Sequence, residues 1–315
     1  MSRCDVVSFY EFTRVDAPRE LGEAVRRRAG QSDLLGTVIV APEGLNATLA
    51  GDRSKLESLL DWLSQQPGFS PPVGRWSVSE SAPFRRLRIK YRKEIVSIGR
   101  EDINPADGQG QHVNAADWNR LLDDPETLVI DTRNDYEIEV GTFPGAVDPK
   151  TKNFREFLGF VERELDDDRD RPIAMFCTGG IRCEKATAVM QELGFKNLYQ
   201  LNGGIIKYLD EVGDETAIEN RWEGECFVFD ERVAVDAARA PGGFVQCHGC
   251  RRALAPQDLE HPDYEPGICC ARCVNELTAR QRAQFEERRK QVVLAEARGE
   301  QHIGKHVPVR RSDPE

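Results

Sequence analysis

A thiol able to act as a nucleophile stands at Cys177, in the stretch Cys177-Thr178-Gly179-Gly180-Ile181-Arg182-Cys183-Glu184-Lys185, directly after the apolar run Ile173-Ala174-Met175-Phe176. An apolar run, a cysteine, two glycines and a helix-forming segment predict strand, tight loop and helix. The main-chain N–H groups of Thr178, Gly179, Gly180 and Ile181 can then turn inward as an anion-binding nest, and the helix beginning near Arg182 adds its positive end. Both favour the thiolate of Cys177. Arg182 either closes this cradle or pairs with Asp131. Asp131 completes the candidate catalytic set, read more as an architectural acceptor at a strand end than as a general base. Cys183 is expected to pack inside the helix rather than to resolve a disulfide. The alternative for Cys177 is burial as a small hydrophobe, the commoner fate of a free cysteine, but such a position needs neither the glycines nor the arginine.

A second pattern could hold a metal. Cys247-His248-Gly249-Cys250 is followed after nineteen residues by Cys270-Ala271-Arg272-Cys273. That is the paired spacing of a tetrahedral zinc site, each pair presenting two thiolates. Four cysteine ligands close the coordination sphere, so structural zinc on Cys247, Cys250, Cys270 and Cys273 is expected. Cys269 could replace Cys270, and His248 or His261 could substitute.

The elements that must position these groups fall into regions. At 315 residues the chain exceeds one ordinary core, which predicts two or three domains. A hydrophobic content of 39% with 31% charged residues describes a soluble globular protein. The start Met1-Ser2-Arg3-Cys4-Asp5 lacks a signal's apolar core, and no apolar run reaches membrane-spanning length, so a cytoplasmic address and no membrane contact are expected. Nine cysteines in such a chain argue for metal binding or catalysis over a disulfide framework. The net charge of −11 disfavours indiscriminate nucleic-acid binding, so any such contact needs a local basic patch.

Residues 1–100 read as a first domain. Val6–Phe12 is a predicted strand, Pro18–Arg28 a helix, Gly36–Ala41 and Leu45–Ala50 two strands, Ser54–Leu63 a helix and Arg85–Arg92 a closing strand. That βαββαβ order predicts a ferredoxin-like or acylphosphatase-like sandwich. In the last strand Leu87, Ile89 and Tyr91 alternate with Arg86, Arg88, Lys90 and Arg92, which puts four cations on one face. Such a row could track a phosphate backbone, or simply protect a solvated edge. Residues 101–123 form a linker and an entry helix, Ala115–Leu122.

Residues 124–218 alternate strand and helix: Thr127–Ile130, Phe154–Glu164, Ile173–Phe176, Arg182–Leu193, Leu198–Leu201. This predicts a parallel sheet covered on both faces, with ligands bound beyond the strands' carboxyl ends, where Cys177 falls. Residues 219–315 hold the cysteine pairs. Asn275–Gly299 within them is a charged helical stretch anchored by Leu277, Phe285, Val292 and Val293, and a mobile tail through Arg310-Arg311 is expected to follow it.

The cysteine loop resembles that of rhodanese domains, as do Val129-Ile130-Asp131-Thr132-Arg133, Gly141-Thr142-Phe143-Pro144-Gly145-Ala146 and Leu201-Asn202-Gly203-Gly204-Ile205. A tyrosine phosphatase places its arginine six positions after the cysteine; here it comes five after, a smaller cradle suited to a single sulfur or oxygen. Over residues 5 to 275 the chain resembles the rhodanese-domain tRNA uridine hydroxylase family. The residues that carry this include Glu43-Gly44-Leu45-Asn46-Ala47-Thr48-Leu49-Ala50-Gly51, Lys93-Glu94-Ile95-Val96, Asp131-Thr132-Arg133-Asn134-Asp135-Tyr136-Glu137 and Cys226-Phe227-Val228-Phe229-Asp230-Glu231-Arg232. Ala47 and Leu158 depart from the expected glycine and proline. The resemblance implies 5-hydroxylation of the wobble uridine, with molecular oxygen as co-substrate, an unidentified reductant, Cys177 at the active site and the tRNA anticodon region as partner. On the residues alone, a sulfurtransferase carrying a persulfide on Cys177 and a non-catalytic zinc-bearing binding protein remain open. Oligomeric state leaves no mark in the sequence.

Overall fold

The computed structural model describes residues 4–103, 105, 110–213 and 217–299. Part of the expected linker and the Arg310-Arg311 tail lie outside them. The chain forms two compact units, divided between Gly242 and Gly243. That division falls later than position 219, where the cysteine pattern placed it. Residues 226–242 belong to the first unit: Cys226 and Val235 are buried in its core beside Trp118, and Arg232 donates to Ser77 Oγ at 2.8 Å.

The first unit begins with an acylphosphatase-like sandwich. Its elements are β1 (Cys4–Phe12), α1 (Pro18–Gln31), β2 (Leu35–Ala41), β3 (Gly44–Gly51), α2 (Arg53–Ser64), β4 (Arg75–Ser79) and β5 (Leu87–Tyr91). In α2, Leu56, Leu59, Leu60 and Leu63 recur at helical spacing and are buried, while the Asp52 side chain accepts from the first-turn N–H groups of Ser54 and Lys55. Val7, Phe9, Val38, Val40, Leu45, Ala47 and Leu49 meet this helix layer. Period two therefore turns Ser8, Tyr10, Thr37, Asn46 and Thr48 to the other face.

The sheet order is β4-β1-β3-β2-β5. The strand that closes the βαββαβ sandwich is thus β4, which pairs antiparallel with β1. The basic segment is instead a fifth strand, parallel to β2 at the opposite edge. Arg75–Ser79 gives no strand signal in the sequence because it is short and four of its five side chains are half-buried, so it lacks a clean alternation.

A domain built on a parallel sheet follows. Its elements are β6 (Gln111–Val113), α3 (Ala115–Asp123), β7 (Leu128–Asp131), α4 (Asp135–Ile138), β8 (Gly141–Thr142), α5 (Phe157–Glu164), β9 (Ile173–Phe176), α6 (Ile181–Glu192), β10 (Leu198–Leu201) and α7 (Gly204–Glu211), of which β8 stands outside the sheet and pairs antiparallel with Glu223–Gly224. The order is β6-β10-β9-β7 with all pairs parallel. All four residues of β9 are buried, as a central strand covered on both faces requires. One core packs Phe157, Phe160, Val161 and Met190 against the sheet. The other packs Trp118, Phe143, Tyr208 and Trp222. Among the described residues no helix is long and apolar enough to cross a membrane.

The second unit is built around the cysteine pairs, with Leu254, Ile268, Leu277 and Phe285 packed among them. Its helix α8 spans Ala279–Glu296, started by a reciprocal Thr278–Gln281 cap. Leu277 and Phe285 act as anchors as expected, whereas Val293 is 55% exposed and does not.

Candidate active site and cysteine cluster

Strand β9 delivers Cys177 to the carboxyl end of the parallel sheet, and α6 begins four residues later. Gly180 makes the turn at φ +92°, a left-handed conformation that side chains resist. Its N–H donates to Cys177 Sγ at 3.0 Å. From α7, the N–H groups of Ile205 and Ile206 donate to the carbonyls of Cys177 and Thr178 at 3.0 and 3.1 Å. Gly204 allows this approach: a Cβ there would lie 2.4 Å from the Cys177 carbonyl oxygen and 2.8 Å from the Gly179 and Gly180 nitrogens. The Gly203-Gly204 segment is thus the prop of the cysteine loop.

Cys177 is fully buried, and burial alone would hold its thiol neutral. Hydrogen bonding from the Cys183 thiol, the Arg182 charge and the Arg182 and Gly179 amides outweigh that, bringing its pKa down from 9.0 to about 5. The cost falls on Cys183, whose pKa burial and the neighbouring Cys177 push well above the usual value. Cys183 therefore does more than fill space: its neutral thiol favours the ionised form of Cys177, and it also contacts Thr132 Oγ1 at 3.7 Å.

Arg182 does not pair with Asp131. Its guanidinium is held bidentately by Glu137, at 2.7 Å on each oxygen, with Glu137 wholly buried. Asp131 is instead clamped by Arg133 at 2.8 and 2.6 Å and by the Thr142 hydroxyl at 3.0 Å. Arg133 also donates to the Glu137 and Gly141 carbonyls. The two arginines thus tie β7, α4 and β8 to the loop, and their charge is neutralised pairwise in the interior. With four donors on its carboxylate, the Arg133 amide included, Asp131 is placed as an acceptor in the scaffold.

Three features of the site had no individual signal in the sequence. Tyr10 donates to Glu184 Oε1 at 3.1 Å, and its hydroxyl would sit 3.1 Å from a Cβ placed on Gly180. Arg75 covers the Tyr10 ring at 4.8 Å and donates to the Gly203 carbonyl at 3.1 Å. Both come from the sandwich domain. Lys185, wholly buried, joins Glu43 at 2.6 Å and Glu94 at 2.8 Å. Glu94 also accepts from the Ile98 and Gly99 amides, and Glu43 from the Ile95 amide. Three segments that carried the family resemblance, around Glu43, Glu94 and Lys185, meet at this one charge cluster.

The basic strand keeps its alternation: Leu87, Ile89 and Tyr91 face the sandwich core, while Arg88 and Lys90 face away, flanked by Arg86 and Arg92. Partial burial and then the charges of Arg88 and Arg92 lower the pKa of Lys90, a sign of cations crowded together.

In the second unit the Sγ atoms of Cys247, Cys250, Cys270 and Cys273 lie within 4.8 Å of one another. Three of the separations, Cys247–Cys273, Cys250–Cys270 and Cys270–Cys273, are each 3.8 Å. Sulfurs about 2.3 Å from a central ion at tetrahedral angles would be ~3.8 Å apart, so the cluster fits zinc. Cys269 is not a member, since its thiol is directed to the Asp263 carbonyl and Glu265. Protein purified without chelator is expected to carry one zinc per chain by elemental analysis, falling to none in a Cys250→Ser, Cys273→Ser variant. A wild-type content near zero would refute the assignment.

Comparison with known proteins gives two family matches. Residues 4–95 match the UPF0176 acylphosphatase-like domain and residues 114–211 the rhodanese-like domain. Among solved structures, the rhodanese-like domain of an Anabaena protein is 19% identical, covering 37% of this chain and 80% of that one, with a TM-score of 0.30. A rhodanese-related protein from Thermoplasma volcanium is 22% identical over 32% of this chain and 91% of that one, TM-score 0.26. An acylphosphatase from Coxiella burnetii is 20% identical over 28% of this chain and 90% of that one, TM-score 0.22.

Proposed function

The chain has the domain architecture of the tRNA uridine hydroxylase family, a UPF0176 acylphosphatase-like domain followed by a rhodanese-like domain, and from that premise we propose that it 5-hydroxylates the wobble uridine of tRNA. The observation that carries the reading is the buried Cys177 thiolate in its amide cradle, joined to a domain that presents a row of cations. A simple persulfide carrier needs the first of these and not the second.

In this reading the substrate is RNA, held through phosphates by Arg86, Arg88, Lys90 and Arg92. The target base leaves its stack to reach the cysteine loop. The net change replaces C5–H of uracil by C5–OH. One atom of molecular oxygen enters the ring and the other leaves as water, with two electrons and two protons from a reductant. Cys177 serves as nucleophile to the ring or as carrier of the oxygen species. The amides of Gly179, Gly180 and Arg182, rather than the whole Thr178–Ile181 run, hold negative charge that develops there. Arg182, already neutralised by Glu137, sets the shape and field of the loop.

Persulfide transfer from Cys177 is the second reading, favoured by the cradle alone. Growth of a deletion strain carrying the wild-type gene under heavy-oxygen gas separates the two. Inserting oxygen and replacing oxygen by sulfur give nearly equal mass gains, so the isotope decides. Labelled 5-hydroxyuridine supports the hydroxylase. Unlabelled thiolated uridine supports the transferase, and unchanged tRNA supports a protein that only binds.

A further inference from the structure

The face of the N-terminal sheet turned away from its helices mixes hydroxyl, amide and basic side chains with apolar Val6 and Ile39; among the described residues its strands place no acid on it, and Glu184 of α6 meets it at Tyr10. Strand register places Arg75, Ser8, Thr48, Thr37 and Arg88 side by side in one row across all five strands. Ser8 and Thr48 are hydrogen-bonded at 2.9 Å. A second row runs Tyr10, Asn46, Ile39 and Lys90. Among the described residues no strand position on this face holds Asp or Glu. The acids of β1, Asp5 and Glu11, alternate with Ser8 and Tyr10 and so fall on the helix side. In a chain of net charge −11, a sheet face with no acid on its own strands and cations at both ends is a local reversal of sign.

One end of this face lies against the cysteine loop. Arg75 donates to the Gly203 carbonyl and would be 3.7 Å from a Cβ on Gly179, while Tyr10 reaches Gly180 and Glu184. The other end is the basic strand, where Arg88 is exposed and Lys90 half-buried. Four inter-strand steps separate the two ends, about 19 Å at ~4.8 Å each. The hydroxyls between them offer donors and acceptors but no charge. That spacing suits an unpaired polynucleotide strand, with phosphates at the cationic ends and sugars or bases over the hydroxyls. A duplex, with its charge on a rigid cylinder, would meet only the edge.

We infer that this sheet face is the strand-binding floor of the Cys177 site, on which single-stranded RNA runs from Arg88 and Lys90 across the Ser8–Thr48–Thr37 row to Arg75 at the cysteine loop. Arg75 is then the positioning residue nearest the reacting base. The inference rests on RNA being the substrate, as proposed above, and extends it from an edge strand to a whole face.

Equilibrium binding of the full-length protein to a labelled anticodon stem-loop RNA, measured over a series of salt concentrations, tests this. Arg75→Met and Arg88→Met are each expected to weaken binding roughly fivefold to tenfold. Each should also reduce the magnitude of the log–log salt slope by about 0.7. Arg27→Met, exposed on α1, should change neither. Arg75→Lys should restore the slope, which a purely structural role of Arg75 would not require. Because Arg75 packs on the loop, Thr48→Val gives an independent variant in mid-row, expected to weaken binding with the slope kept. Unchanged binding in Arg75→Met and Arg88→Met, equal affinity for a duplex of the same length, or no binding by wild type would overturn the inference. Tracking hydroxyuridine in the same variants separates the two proposals. Modification that needs Cys177 but not Arg75 or Thr48 sinks the floor alone. RNA bound across the face without any modification sinks the hydroxylase reading alone.

Discussion

A Cys177→Ser variant is expected to leave the wobble uridine unmodified, a loss of at least ~10³-fold in rate, as when a covalent catalyst loses its nucleophile. Serine keeps the size and can accept the same amide hydrogen bond. Its hydroxyl stays protonated where the thiol does not, because the arrangement that brings Cys177 to about 5 acts on a group that starts near 9, not on an alkanol. Folding should be little disturbed, so loss of 5-hydroxyuridine in the deletion strain, with normal protein abundance, would report chemistry. Full complementation by the serine variant would remove Cys177 from the reaction.

Lys185→Met is expected to destabilise the first unit by about 3–5 kcal/mol, because it strips the cation from two buried carboxylates. In a unit of this size that lowers the melting temperature by ~10 °C. Burial already raises the pKa of Glu43 in the wild type, with Lys185 opposing it. Without the cation Glu43 favours protonation in the folded state still more. The folded variant then binds more protons than the unfolded chain, so its stability falls as pH rises through and above the usual carboxylate range. Melting curves from pH 5 to 8 should therefore show the gap between variant and wild type widening upward. A constant, small gap would mean the cluster does not hold the segments together.

The cysteine loop was legible because its parts are local: β9 is an unbroken apolar run, two glycines interrupt it, and Arg182 and Cys183 follow within one helical turn. The zinc cluster was legible for the same reason, each pair lying within four residues. What was not legible came from distance in the chain. Glu137 reads as a surface acid beside Asp135 and Tyr136, and only the fold buries it against Arg182. Tyr10 and Arg75 occupy the outer face of a sandwich sheet, where alternation says only that they do not face the helices. The presence of another domain there is not written in period two. β4 was missed through half-burial, and β5 was found as a strand but given the wrong neighbour, since alternation fixes a strand's face and not its partner. Lys185 lies amid α6 like any helix lysine, and only the carboxylates of two distant segments explain its complete burial.

The central claim, an ionised sulfur at Cys177 under neutral conditions, is most directly tested by thiolate absorbance near 240 nm, taken as the difference between wild type and Cys177→Ser over pH 3 to 10. A single step with its midpoint at about 5 is the expected result. A difference signal that stays flat until it rises near 9, the value of an ordinary cysteine, would contradict it.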